Sequence, residues 1–186
     1  MNHRKSVREM DAYCRSGART KTRCLCFDAG SLGCARRPSV REAAEKLGIL
    51  LTSAPLVSPF DEPEYRRVLV SIQRDQIDGI MISEETENYP HRFLLVQLIN
   101  QMRLPAVFSY REQAEAGGLL AYSWDLKSSF RRNAMQVAQI LRGTNPGDIP
   151  YFQETRFELV INLKTARELG LEVPAELVAV AAGVIE

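Results

Sequence analysis

Histidine is almost absent from this chain, with two residues in 186. Beyond residue 37 only His91 remains, so a serine or cysteine nucleophile there would have almost no imidazole base to draw on. Cysteine is missing from that same span. Cys14, Cys24, Cys26 and Cys34 all fall earlier, and their spacing lacks the paired C-x2-C knuckles of a zinc site. They read as unpaired thiols, since no export signal points to an oxidising compartment. Met1 to Lys5 is basic, but Ser6 to Lys21 is polar where a secretory signal would be apolar. As written, the chain is expected to stay in the cytoplasm. No stretch approaches the roughly 20 apolar residues of a membrane span. The sequence also lacks G-x-G-x-x-G, G-x-x-x-x-G-K-[ST] and G-x-S-x-G. No cofactor, metal ion or catalytic residue is therefore expected.

What is present suits a soluble globular chain: 45% hydrophobic and 25% charged residues, with a net charge of +1. The charge is unevenly spread. Residues 1–37 are strongly basic and the remainder is mildly acidic. A basic arm can touch nucleic acid or membrane, but a poorly structured leader is the simpler reading, and no nucleic-acid partner is expected. Within it only Arg23 to Phe27 (RCLCF) has the character of a short strand.

From Pro38 the pattern becomes regular. Ser39 and Glu42 resemble a capping box opening a helix that stops at Gly48. Ile49 to Val57 reads as a strand interrupted near Pro55. Asp61 caps the next helix, whose Tyr65, Val68, Leu69 and Ile72 form one apolar face while Arg66, Arg67, Gln73 and Arg74 face outward. Ile77 to Ser83 is a buried strand, and Pro90 to Met102 a buried helix. Then come the strand Ala106 to Tyr110, a helical turn, Gly117-Gly118 and the strand from Leu119 to Tyr122. Asp125 caps a helix over Leu126 to Arg142. Phe157 to Ile161 is a strand, Asn162 caps Leu163 to Leu169, and the tail from Pro174 reads as a last helix. Strand and helix alternate through short connections, which predicts an α/β fold: a parallel sheet flanked by helices.

In such sheets ligands bind beyond the carboxyl ends of strands, which singles out Ser109, Tyr110, Arg111, Trp124 and Asp125. Arg111 could grip a carboxylate bidentately, or pair with Glu112 and Glu115 as an ordinary surface residue. Tyr110, Tyr122 and Trp124 could stack on a planar ligand, or pack the sheet edge. Glu84-Glu85 could hold a metal or an amine, or stand solvated beside Glu87. His91, at a helix start, could donate to a ligand as a neutral imidazole, or simply fill an exposed cap. Gly117-Gly118 does not open a long helix and is read as a turn rather than a phosphate cradle.

Two longer stretches carry a resemblance. LPAVFSYREQAEAGGLLAYSWDL and ILRGTNPGDIPYFQETRFELVINLKTARELGLEVP, with the closing VIE, resemble the carboxyl-terminal half of ABC-transporter substrate-binding proteins related to tryptophan and tyrosine binders. The resemblance runs from about Ser39 to Glu186. It implies a type I periplasmic-binding-protein fold, two α/β lobes enclosing a small-molecule solute and delivering it to an ABC permease. In that frame Ser39 to about Gly118 is most of the second lobe, residues 119–142 cross to the first, and the chain returns at Phe157. The cleft candidates are Glu84, Tyr110, Arg111, Tyr122 and Asp125. Family members are periplasmic, with a signal peptide and a first lobe before this segment, so a truncated or frameshifted product is expected. Leu120, Phe130, Val137 and Leu141 are then expected to be exposed or repacked, with self-association through residues 119–142. The alternatives are a stand-alone cytoplasmic sensor or interaction module and a flavodoxin-like enzyme.

Overall fold

Among the described residues seven segments form strands: β1 (Arg23–Ala29), β2 (Leu50–Leu56), β3 (Gly79–Ile82), β4 (Ala106–Phe108), β5 (Leu120–Trp124), β6 (Phe157–Asn162) and β7 (Gly183–Ile185). They make one sheet in the order β2-β1-β3-β4-β5-β6-β7. The computed structural model describes residues 23–29, 37–72, 76–152 and 157–186. His3, Cys14, Cys34, Gln73 and Arg74 lie outside the described residues.

The sheet is parallel from β2 to β5, as the alternation of elements predicts. β6 then runs antiparallel to β5, and β7 pairs parallel with β6. Successive strand residues point to opposite faces. Ile80, Ile82, Ala106, Phe108, Ala121 and Val160 serve one core, covered by α2 (Glu62–Ser71), α3 (Arg92–Met102) and α4 (Arg111–Glu115). Met81, Val107, Leu120, Leu159 and Ile161 serve the other, under α1 (Pro38–Leu47), α6 (Leu163–Leu169) and α7 (Ala175–Val180). Among the described residues one further helix, α5 (Leu126–Leu141), belongs to neither layer and has no buried residue.

The short strand expected at RCLCF does form, beside β3, and both Cys24 and Cys26 are fully buried there. Four local expectations are corrected. Cys26 is disulfide-bonded, against the reading of unpaired thiols. The capping box at Ser39 does not form. Arg37 is the N-cap, Pro38 occupies the first turn, and Glu42 pairs instead with Lys46 at 2.8 Å. The tail leaves its helix at Val180 and ends as β7, since Val160 to Asn162 offer an open strand edge. Leu120 is buried rather than exposed, as a member of β5 paired with Ile161.

The most recognisable sequence, E-A-G-G-L, has a structural explanation. Gly117 has φ +104°, a conformation that favours glycine. Its carbonyl accepts from Asn100 Nδ2 and Thr165 Oγ1, each at 2.9 Å. At Gly118 a Cβ would meet Gln113 O and the Phe108 ring at 2.7 Å. Asn162 closes this junction. Its Oδ1 accepts from Thr165 N as the cap of α6, and its Nδ2 donates to Ala114 O, both at 3.0 Å.

Candidate functional site

The carboxyl ends of β3, β4 and β5 lie side by side, and three connections leave from them. Beyond β3 the chain turns through Thr86–Asn88 before α3. This turn is held from inside the protein. The Tyr65 Oη proton is shared between Asn88 Oδ1 and the Glu87 carbonyl, each 3.0 Å away, while Asn88 Nδ2 reaches the Ser83 carbonyl and hydroxyl at 3.2 and 3.0 Å. Ser83, Asn88 and Tyr65 are buried, so each polar group needs the partner it has. His91, half-buried at the N-cap of α3, packs its ring on Tyr65, centroids 4.8 Å apart.

Beyond β4, Ser109 Oγ donates to the Ile82 carbonyl at 2.6 Å and ties the two strand ends together. Tyr110 is the N-cap of α4 and is buried. Its hydroxyl donates to the Glu84 carbonyl at 3.3 Å, and its ring meets Tyr89 edge to face at 4.9 Å. Burial, with the nearby Glu84 charge, pushes its phenol up to about 12. The Arg92 guanidinium lies over the Tyr89 ring at 4.3 Å. Glu84 itself is bound to Arg37 at 3.3 Å.

Arg111 carries two acidic partners, Glu115 at 2.9 Å and Glu158 at 3.4 Å. These carboxylates, Glu115 foremost, stabilise its charged form further. Beyond β5, Asp125 Oδ1 caps α5 by accepting from Ser128 N at 3.0 Å. Tyr122 and Trp124 point to the opposite sheet face from Ser123. Tyr122 stacks on Phe157 with centroids 5.5 Å apart, and Trp124 meets the same ring edge-on at 6.4 Å.

An open pocket of about 430 Å³ lies among these ends. Tyr110, Arg111, Trp124 and Asp125 line it, as do Glu112, Glu115, Ser123, Leu126, Lys127 and Glu158. Four of the seven residues singled out from sequence thus meet at one pocket. Ser109 and Glu84 stand beside it with their side chains engaged elsewhere, and Tyr122 packs toward the α1–α6–α7 core. The sequence reading missed Ser123, Lys127 and Glu158. Ser123 and Glu158 meet only because β6 pairs antiparallel with β5, placing them opposite each other. A larger groove of about 700 Å³ lies along β2 and α2, but its lining is mostly apolar. Among the described residues no three His, Cys, Asp or Glu side chains are placed to hold a metal ion. None of the described helices is long and apolar enough to cross a membrane.

The chain matches the family model for ABC transporter substrate binding protein over residues 39–185. No curated protein matches it. Among solved structures it is similar to the ABC domain in complex with L-Trp from Streptococcus pneumonia, with 19% identity and a TM-score of 0.83 over 98% of this chain and 62% of that one. It is also similar to a conserved domain protein from Vibrio cholerae O1 biovar El Tor, with 20% identity and a TM-score of 0.80 over 98% of this chain and 60% of that one. A ligand-free, open substrate binding protein with adhesive properties from Clostridium difficile follows at 14% identity and a TM-score of 0.59, over 88% of this chain and 54% of that one. The chain therefore spans 62% or less of the length of the solved structures it resembles. At these identities the likeness shows the fold, a mostly parallel sheet flanked by helices. The family is one of binding proteins, and the flavodoxin-like enzyme reading is set aside. By its sequence match, this chain is a member of the ABC transporter substrate binding protein family.

Proposed function

We propose that this chain is the solute-binding component of an ABC importer, and that it holds a small aromatic amino acid against the carboxyl ends of β4 and β5. The composition of the pocket carries this reading. Glu112, Glu115, Asp125 and Glu158 outnumber Arg111 and Lys127, and Arg111 is already neutralised by two of them. The local field therefore favours a ligand ammonium over a carboxylate. Tyr110 and Trp124 offer aromatic surface beside those charges, which suits a planar side chain. Glu84, Ser109 and Tyr122 fix the strand ends around the contact residues. That one solved structure of this fold holds L-Trp is consistent with the reading. Enclosure of the solute in an inter-lobe cleft and delivery to a permease belong to this proposal, and the family match supports them. In this mode a second lobe supplies the facing wall, so the surface described here binds weakly on its own.

Isothermal titration of the full chain with L-tryptophan, L-tyrosine and L-phenylalanine tests the proposal, with L-glutamate as control. The expected result is weak, saturable binding of the aromatic ligands, lost in Trp124→Ala and in a Glu115→Gln/Glu158→Gln double variant. Equal heats for glutamate, or no binding by any of the four, would overturn it.

A further inference from the structure

We infer that Ser123, Asp125 and Glu158 form a three-acceptor seat for a primary ammonium, so that the pocket reads the N–H bonds of its ligand as well as its charge. The inference rests on the pocket proposed above as the solute site, and adds the groups that hold the amine. It starts from Ser123. This residue is 8% exposed and lines the pocket, yet its hydroxyl has no hydrogen-bond partner among the described residues. The other buried polar side chains, Ser83, Asn88, Gln113, Asn162 and Thr165, are all hydrogen-bonded. A buried hydroxyl without a partner costs free energy unless something supplies one. The exception in an otherwise satisfied set points to a group that arrives with the ligand.

The sheet supplies two carboxylates beside it. Ser123 and Glu158 are directly opposite in the β5–β6 ladder, which puts their Cβ atoms about 4.5–5.5 Å apart on one face. Asp125 follows Ser123 by two residues in extended backbone, and so projects to that same side. Each carboxylate has one oxygen engaged. Asp125 Oδ1 accepts from Ser128 N at 3.0 Å, and Glu158 Oε2 accepts from Arg111 at 3.4 Å. Those bonds hold the two acids in place before a ligand arrives, which lowers the ordering cost of binding. Asp125 Oδ2, Glu158 Oε1 and Ser123 Oγ make no hydrogen bond among the described residues. They offer three acceptors to the three N–H bonds of a primary ammonium. A hydroxyl suits the third place, because it accepts from the ammonium while turning its own proton to the neighbouring carboxylate. Charge attraction alone would not require it.

Methylating the amine of L-tryptophan tests this, since it keeps the positive charge and removes the N–H bonds one at a time. Saturation-transfer NMR of the full chain, with L-tryptophan observed and its N-methyl and N,N-dimethyl derivatives as competitors, ranks the three affinities. The expected result is a loss of about tenfold for each methyl group. Ser123→Ala leaves the charge of the pocket untouched, and should weaken L-tryptophan by about tenfold. In that variant the first methyl group should cost less than in the wild type, because one acceptor is already gone. Its Tm should not fall, since the Ser123 hydroxyl makes no hydrogen bond within the described fold. Binding of all three compounds within about threefold would refute the three-acceptor seat and leave the solute-site reading standing. So would a Ser123→Ala chain that holds L-tryptophan as the wild type does. Failure of the wild-type chain to bind L-tryptophan would overturn both.

Discussion

Asn162→Ala should cost this fold about 2–4 kcal/mol, an estimate that combines two interactions of one side chain. Asn162 is 4% exposed, so water cannot replace what is lost. Its Oδ1 caps α6 through Thr165 N, and an alanine there removes a cap worth about 1 kcal/mol. Its Nδ2 is the donor to Ala114 O, and a buried carbonyl left without a partner costs about 1–3 kcal/mol more. For a chain of this length that corresponds to a drop of roughly 5–15 °C in Tm. Thermal melts followed by circular dichroism, with urea titration at fixed temperature, measure it. Asn162→Asp separates the two interactions, because a carboxylate still caps α6 but cannot donate to Ala114 O. The buried carboxylate facing a carbonyl has a raised folded-state pKa. The deficit of Asn162→Asp should therefore be smallest below the ordinary aspartate range, and grow as pH rises through the folded value. A loss under about 0.5 kcal/mol in Asn162→Ala, or a flat pH profile in Asn162→Asp, would refute the reasoning.

Gly118→Ala should destabilise by at least about 1–3 kcal/mol in the same melts, since the new methyl would meet Gln113 O and the Phe108 ring at 2.7 Å and one of them is backbone. Arg67 and the Val57 N–H hold the Glu64 carboxyl down at about 2. Its contribution should be present above the ordinary carboxylate range and fade as pH falls toward 2; Glu64→Gln should lower stability at neutral pH and flatten that acid limb. Burial raises the phenols of Tyr65 and Tyr110 to about 12. Their contribution should be complete below the ordinary tyrosine range and be lost as pH rises toward 12, with tyrosinate absorbance and unfolding appearing together. Arg111→Ala should change affinity for an aromatic amino acid by less than about threefold, because Glu115 and Glu158 already occupy its guanidinium.

Much of the fold was legible because the strands are short apolar runs bounded by turn residues. Ala106 to Phe108 after Leu104-Pro105, and Phe157 to Asn162 before a cap, are examples. Strand direction was not, because alternation is the same for either orientation, and β6 runs antiparallel to β5 on the strength of where the chain returns. The same limit hid part of the pocket. Arg111 could be judged against Glu115, four residues away, but not against Glu158, which is distant in sequence and arrives from a different strand. Tyr122 was grouped with Trp124 and Tyr110 as three aromatics at strand ends, whereas Tyr122 faces the other core. The motifs that made the family recognisable, E-A-G-G-L and F-E-L-V-I-N-x-K-T-A, meet around Gly117 and Asn162, at the amino end of β5. The pocket lies at its opposite end. The two motifs reach the pocket only through Glu115 and Glu158, while their glycines and Asn162 hold the opposite end of the strand.

The pairing of β5 with β6 also bears on how this fold can be rebuilt. Trp124 and Phe157 are opposite each other in the ladder, so the chain leaves the sheet and returns to it at almost the same point in space. Everything between them is attached through two neighbouring stems. A two-residue Asn-Gly hairpin can close stems at that separation without disturbing either strand. Residues 125–156 are thus a natural graft position, open to removal, exchange for another module, or relocation of the chain termini by circular permutation.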